Sequence, residues 1–147
     1  MRTLLRSERG SILPLELFLV AAVAMGITVV ADVGSVIGVR RELAATADQA
    51  AIAGAQAVDL DAYYRHGAGV ASVDLDPGSV TAAVSRYLAP AMAAGQVEGL
   101  RIQAITVRSD TVTVTLTGRA PLPFTSSVGL ESVPVTASAS AVLLIQP

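Results

Sequence analysis

At 147 residues the chain has room for one modest domain beside a single long apolar segment. Its residues are 52% hydrophobic and 15% charged, with net charge −2 and no cysteine, so disulfides and thiol chemistry are excluded. All ten basic residues are arginine, and no helix or strand gathers them into a basic stripe, which argues against nucleic acid as a partner.

Residues 1–10 form a short basic leader with Arg2, Arg6 and Arg9. An apolar run follows, uncharged from Leu17 to Ala31, resuming past Asp32 to Val39 and closed by Arg40-Arg41. A helix from Arg9 to Arg40 would rise about 46 Å, enough for the hydrocarbon and both headgroup layers. The reading is a transmembrane helix over 11–39, with Pro14 in the first turn, where a missing N–H is tolerated. Residues 1–42 hold five arginines and four acids, whereas 43–147 hold five and eight, which favours a cytoplasmic N-terminus and an extracytoplasmic remainder. A cleavable secretory signal is the competing reading, since Ala22-Val23-Ala24 has the small-x-small form of a cleavage site. The apolar run continues well past it, which favours the anchor.

Two acids interrupt this segment. Glu16 and Asp32 would lie roughly 24 Å apart, less than the ~30 Å of hydrocarbon, so at least one must be immersed or paired. A carboxylate near the bilayer centre costs about 2.5–3.5 kcal/mol on insertion scales, which makes a partner for it expected. Asp32 has two routes, an arginine partner or snorkelling toward the outer surface, and a short acid near the outer leaflet favours the second. Gly34 and Gly38 stand at a small-xxx-small spacing that lets another helix approach closely, although glycine is common in membrane helices.

The helix is expected to continue as a stalk over 40–58, rich in Ala, Leu, Arg, Glu and Gln. Leu43, Ala47, Ala50, Gly54 and Ala57 make a narrow seam of mostly small residues, suited to packing on other helices. The remainder, 59–147, reads as an extracytoplasmic domain. It begins with a loop from Asp59 to Pro77. Asp76 then caps a second helix with Pro77 at its first position. Val80, Val84, Tyr87, Leu88 and Ala91 supply its apolar face, and Pro90 is expected to end or kink it near Ala89.

After Gly95 the period changes to two. Leu100–Arg108 and Thr111–Thr117 read as strands joined at Ser109-Asp110, with Val107 facing Val112 and Ile105 facing Val114. A simple register would then set Gln103 against Leu116, so a bulge near Ala104 is required to return Ile102 to the core face. Val133–Leu144 is a third strand, and Pro134 places its start at a sheet edge. The fold class is α+β: a long N-terminal helix, a second helix and a small antiparallel three-stranded sheet whose apolar face packs on the second helix and the stalk's lower face.

No catalytic constellation appears, and the chain reads as a structural protein rather than an enzyme. His66 is the single histidine, in a Tyr-Tyr-Arg-His-Gly loop. Asp59, Asp61, Asp74 and Asp76 are the nearest approach to a metal site. Their spacing matches no calcium loop, so no metal or other cofactor is expected.

Arg9-Gly10-Ser11 and Pro14, then Asp32-x-Gly34, then Arg40, Arg41 and Leu43, and above all Ala47-Asp48-Gln49-Ala50-Ala51-Ile52-Ala53-Gly54-Ala55 resemble the TadE/TadG-like minor pilins of tight-adherence (Flp) pilus systems. The resemblance covers about residues 9–57. It implies a pilin-like minor pilin or pseudopilin that primes or joins a pilus. The implied partners are other pilins, the assembly platform, the membrane and a prepilin peptidase. It also implies prepilin-type processing at Gly10 or Ser11. A cut after Gly10 makes Glu16 the sixth mature residue; a cut after Ser11 makes it the fifth, with serine instead of glycine before the bond. Glu16 would then neutralise the new α-amino group of a neighbouring subunit and set axial register. The alternative is a signal-anchored envelope protein whose outer domain binds a partner outside any pilus.

Overall fold

The computed structural model describes residues 12–57 and 75–143. Three kinds of expectation lie outside that range: the leader with Gly10 and Ser11, the body of the 59–74 loop with His66, Asp59, Asp61 and Asp74, and the last residues of the third strand.

Helix α1 spans Ile12–Ala55, 44 residues without a break. Its β-branched stretch Ile27-Thr28-Val29-Val30 is a weak helix former in water. The hydroxyl of Thr28 is satisfied within the helix by the Met25 carbonyl at 2.7 Å, which leaves an apolar exterior there. The helix stops at Ala55, one turn short of the stalk end expected at residue 58; the Ala57 N–H already bonds the Gly54 carbonyl in a tighter turn.

Helix α2 spans Pro77–Ala94. Asp76 is its N-cap, with the carboxylate accepting from the Ser79 N–H at 2.7 Å. That bond, followed by one from the Ser79 hydroxyl, holds the Asp76 carboxyl below the usual carboxylate value. Of the two outcomes expected of Pro90, an end or a kink, the first does not occur, and the helix continues past it. Arg86 and Pro90 are both exposed, so the carbonyl that Pro90 leaves without its helical donor faces water, while Leu88 and Ala91 hold the backbone to the core on either side. The helix ends instead at Gly95, a left-handed C-cap with φ 62°.

Strands β1 (Glu98–Arg108), β2 (Thr111–Pro121) and β3 (Ser132–Val142) form one antiparallel sheet in the order β1-β2-β3. Val107 pairs with Val112 and Ile105 with Val114, as the alternation requires. The register shifts between Ile102 and Ala104, so the extra residue is Gln103 and Ile102 returns opposite Leu116. The strand β2 runs four residues past the expected Thr117, to Pro121, where the Ser132 end of β3 supplies partners. Pro134 stands on β3, an edge strand, opposite Arg119.

One face of the sheet packs on α1 and α2. Leu43, Leu88 and Leu116 with Val80, Val84, Val112 and Val114 are fully buried there. Because aromatics are only 3% of the chain, these aliphatic side chains fill the core, and close helix–sheet approach compensates for their size. Gly54 marks one such approach, where a Cβ would sit 3.1 Å from Val112 Cγ1, and at Gly118 it is the α2–β1 connection that comes close, with a Cβ 2.5 Å from Val97 Cγ1. The opposite face is a hydroxyl ladder in which Thr113 meets Ser140 at 2.8 Å and Thr115 meets Ser138 at 3.0 Å.

Candidate assembly and membrane-boundary site

Helix α1 changes environment at Asp32. From Ile12 to Val30 its side chains are exposed apart from the half-buried Thr28, and its large apolar residues stand open: Leu13 at 71%, Leu17 at 72% and Phe18 at 73%. It is the one helix, among the described residues, long and apolar enough to cross a membrane. From Asp32 onward a stripe at three- and four-residue spacing turns inward. It runs through Asp32, Val36, Val39, Leu43, Ala47, Ala50 and Gly54, all buried or half-buried against the chain's own sheet and α2.

Two expectations bear on this stripe. Within the span expected over 11–39, Val36 and Val39 pack against the protein core. The packing residues Ala47, Ala50 and Gly54 face the chain's own sheet and α2, as expected of the stalk's lower face. All three are buried inside the domain, and a Cβ on Gly54 would lie 2.9 Å from Val84 Cγ2 and 3.1 Å from Val112 Cγ1. The small side chains are required by the fold itself. Gly34 and Gly38 differ: a Cβ at either would meet nothing within 4 Å. At about 100° per residue, Gly34 lies roughly 200° round the helix from Asp32, on the side turned away from the domain. Glu16 is exposed near the start of the free stretch.

Asp32 is 5% exposed, so it does not snorkel, and it pairs with no arginine among the described residues. Its Oδ1 accepts from the Phe124 N–H and its Oδ2 from the Thr125 N–H, both at 3.1 Å. These donors open a 3-10 turn, Thr125–Val128, inside the connection between β2 and β3, and that turn has no side-chain cap of its own. A carboxylate 92 residues away in sequence therefore supplies the cap, and the turn's free N–H groups supply the counter-dipole that a buried acid needs. One turn further along α1, the Ser35 hydroxyl donates to the Pro121 carbonyl at 2.8 Å. Together these bonds fasten the β2–β3 connection to the helix where it leaves the domain.

Ser35, Gly118, Phe124 and Thr125 were not singled out by sequence reasoning. Gly118 interrupting the alternation of β2 was a usable signal, because a glycine inside a strand marks close backbone approach. Asp32 was marked as needing a partner, but nothing local identifies backbone donors so distant in sequence.

The comparisons with known proteins bear on α1. Residues 10–57 match the family model Tad, described as Flp pilus-assembly TadE/G-like. No curated protein and no solved structure matches the chain. The segment 10–57 is thus TadE/G-like, and α2 and the sheet lie outside the match. The match supports a part in Flp pilus assembly, and the apolar N-terminal helix fits a single-pass membrane anchor.

Proposed function

We propose that this chain, with its TadE/G-like helix, is a minor pilin or pseudopilin of an Flp-type pilus, a structural subunit rather than an enzyme. Its N-terminus lies in the cytoplasm and its α+β domain outside. The observation that carries the reading is the coincidence of the family match with α1, of which the part from Ile12 to Ile27 stands exposed. That stretch, with the open face at Gly34 and Gly38, is the surface offered to helices of other pilins and of the assembly platform. Glu16, exposed near its start, is placed to neutralise a neighbour's α-amino group after processing at Gly10 or Ser11 by a prepilin peptidase.

One observation favours the envelope-anchor alternative. The Ala47–Gly54 block, the most specific part of the resemblance, is consumed in intrachain packing and so reports how the domain mounts on its helix. The test is the mature N-terminus, by mass spectrometry of membrane and sheared-surface fractions from native cells. A start at Ser11 or Ile12, in protein recovered with sheared fibres, is the expected result. An intact chain confined to the membrane, in equal amount with and without the pilus machinery, would leave the envelope anchor. A start at Met25 would overturn both.

A further inference from the structure

We propose that the β2–β3 connection is a second membrane contact: its apolar tip, led by Phe124 and Leu130, enters the lipid leaflet at the point where α1 emerges. This rests on α1 spanning a bilayer and not on the pilus reading.

The height is set by α1. Ile12–Ala31 is twenty residues of continuous helix, about 30 Å long, the thickness of the hydrocarbon layer. Asp32 is the next residue, and its two hydrogen bonds hold Phe124 and Thr125 at that level. The chain's two phenylalanines are Phe18, on the free stretch, and Phe124, which is 50% exposed; Leu130 beside it is 57% exposed.

Chemistry agrees with position. The ten residues Pro121–Leu130, PLPFTSSVGL, carry no ionisable group. Six backbone donors in the connection, those of Leu122, Phe124, Thr125, Ser126, Gly129 and Leu130, are also satisfied within the protein, which lowers the cost lipid imposes on irregular structure. Leu122 N–H bonds the Glu131 carbonyl, Ser126 N–H the Leu122 carbonyl, Gly129 N–H the Ser126 carbonyl and Leu130 N–H the Thr125 carbonyl. Phe124 and Thr125 are served by Asp32, while Pro121 and Pro123 have no N–H to satisfy.

An open groove of about 310 Å³ lies between the connection and α1, walled by Val29, Val33 and Ile37 on one side and Leu122, Leu130 and Val133 on the other. Asp32, with its carboxylate already engaged, is the one charged residue in its lining. The groove continues the free apolar face of the helix into the domain. Its occupant is therefore the solvent of that face, lipid acyl chain.

The chain contains no tryptophan, so a single introduced one reports alone. Full-length Phe124→Trp in phosphatidylcholine vesicles should show blue-shifted emission, at least twofold stronger quenching by acyl-brominated lipid than Tyr87→Trp, and weaker quenching by acrylamide. Tyr87 shares a pocket with Thr46, fourteen residues beyond Asp32 and about 21 Å further along the helix. Phe18→Trp checks insertion of α1. If that position is quenched by brominated lipid while position 124 behaves as position 87 does, the inference is overturned and the anchor stands. Absence of quenching at position 18 overturns both. A blue shift at 124 without brominated-lipid quenching, growing with the protein-to-lipid ratio, would assign the groove to the helix of a second copy and overturn the lipid contact. Leu130→Trp reads the same surface should Phe124→Trp lower the thermal midpoint.

Discussion

The two halves of α1 are one uninterrupted helix built for two different surroundings. Before Asp32 the side chains are bulky and exposed: Leu, Val, Ile, Met and Phe, none resting on the domain. After it the buried positions are mostly Ala and Gly, with Leu43 the single large side chain that is fully buried. A helix in water would do the reverse and bury its large residues. Bulk outward in one half and smallness inward in the other fit a first half that serves as a single-pass membrane anchor. The second half is pressed close to a sheet. Hydrophobicity and side-chain volume both separate the halves: one charge, Glu16, stands before Asp32, whereas Arg40, Arg41, Glu42 and Asp48 follow it.

A matched pair of substitutions tests that contrast and carries the largest expected effect. Gly54→Leu adds four carbons where the first would already meet Val84, Val112 and Val80 within 3.2 Å. The overpacking should cost on the order of 3 kcal/mol, read as a lowered thermal midpoint of the detergent-solubilised protein. Gly34→Leu adds the same volume where nothing stands within 4 Å, and should leave stability within about 0.5 kcal/mol. Its effect should appear only in co-purification with other pilus subunits. Equal destabilisation by both would erase the distinction between the halves.

Asp32 marks the boundary, and removing it sharpens the comparison. Asp32→Ala strips the acceptor from two backbone donors, for a loss of about 1–3 kcal/mol. Amide exchange at Phe124 and Thr125 should rise at least tenfold while Val112 and Val114, in the core strand, stay protected. Asp32→Asn keeps one acceptor and turns a donor toward the other N–H, so its exchange should fall between the two. Unchanged protection in Asp32→Ala would mean that the connection holds itself and that Asp32 is a passenger.

Much of this was legible in the sequence because it is encoded locally. The period-two alternation fixed the strand pairs around Ser109-Asp110, and the misfit of Gln103 against Leu116 located the bulge before any coordinates were needed. The Asp76-Pro77 cap was equally plain. The small-residue seam had two readings, a surface for other helices and the stalk face on which the sheet packs, and the fold takes the second. Ala47, Ala50 and Gly54 permit close approach by any partner, and a helix from another subunit and the chain's own sheet leave the same pattern. The same holds for Asp32: a buried acid announces a need for donors but not which ones, and backbone N–H groups have no sequence signature. Pro90 left two outcomes open, an end or a kink, and core contacts on both sides carry the helix past it.

The capping carboxylate at α2 gives a smaller effect with a definite sign. Asp76 has its pKa lowered in the folded protein, so its contribution is present in full above the unfolded value of about 3.9 and is lost as pH falls through the folded value. Asp76→Ala should lower the thermal midpoint near neutral pH, with the deficit shrinking below about pH 4. Asp76→Asn caps without a charge and should remove the pH dependence while keeping most of the cap. Because Asp76 is exposed, added salt should weaken the electrostatic part. A deficit constant from pH 7 to below pH 3 would show that the cap does not act through the ionised carboxylate.

The smallest effect lies furthest from the membrane boundary. Ser109, in the β1–β2 turn, has φ 52°, the one non-glycine residue with positive φ among those described. Its Cβ is crowded against the following carbonyl, a conformation that costs an L-residue roughly 1 kcal/mol. Glycine avoids that crowding but is freer when unfolded, so the two terms oppose and Ser109→Gly should gain only about 0.5 kcal/mol. Chemical denaturation with an unchanged m-value would isolate the turn as the source. A loss of stability would instead show that the chain entropy added by glycine outweighs the strain relieved in the turn. The lipid reporters at positions 18 and 124 should be indifferent to this substitution, because the hairpin tip lies at the opposite end of β2 from the connection that Asp32 holds.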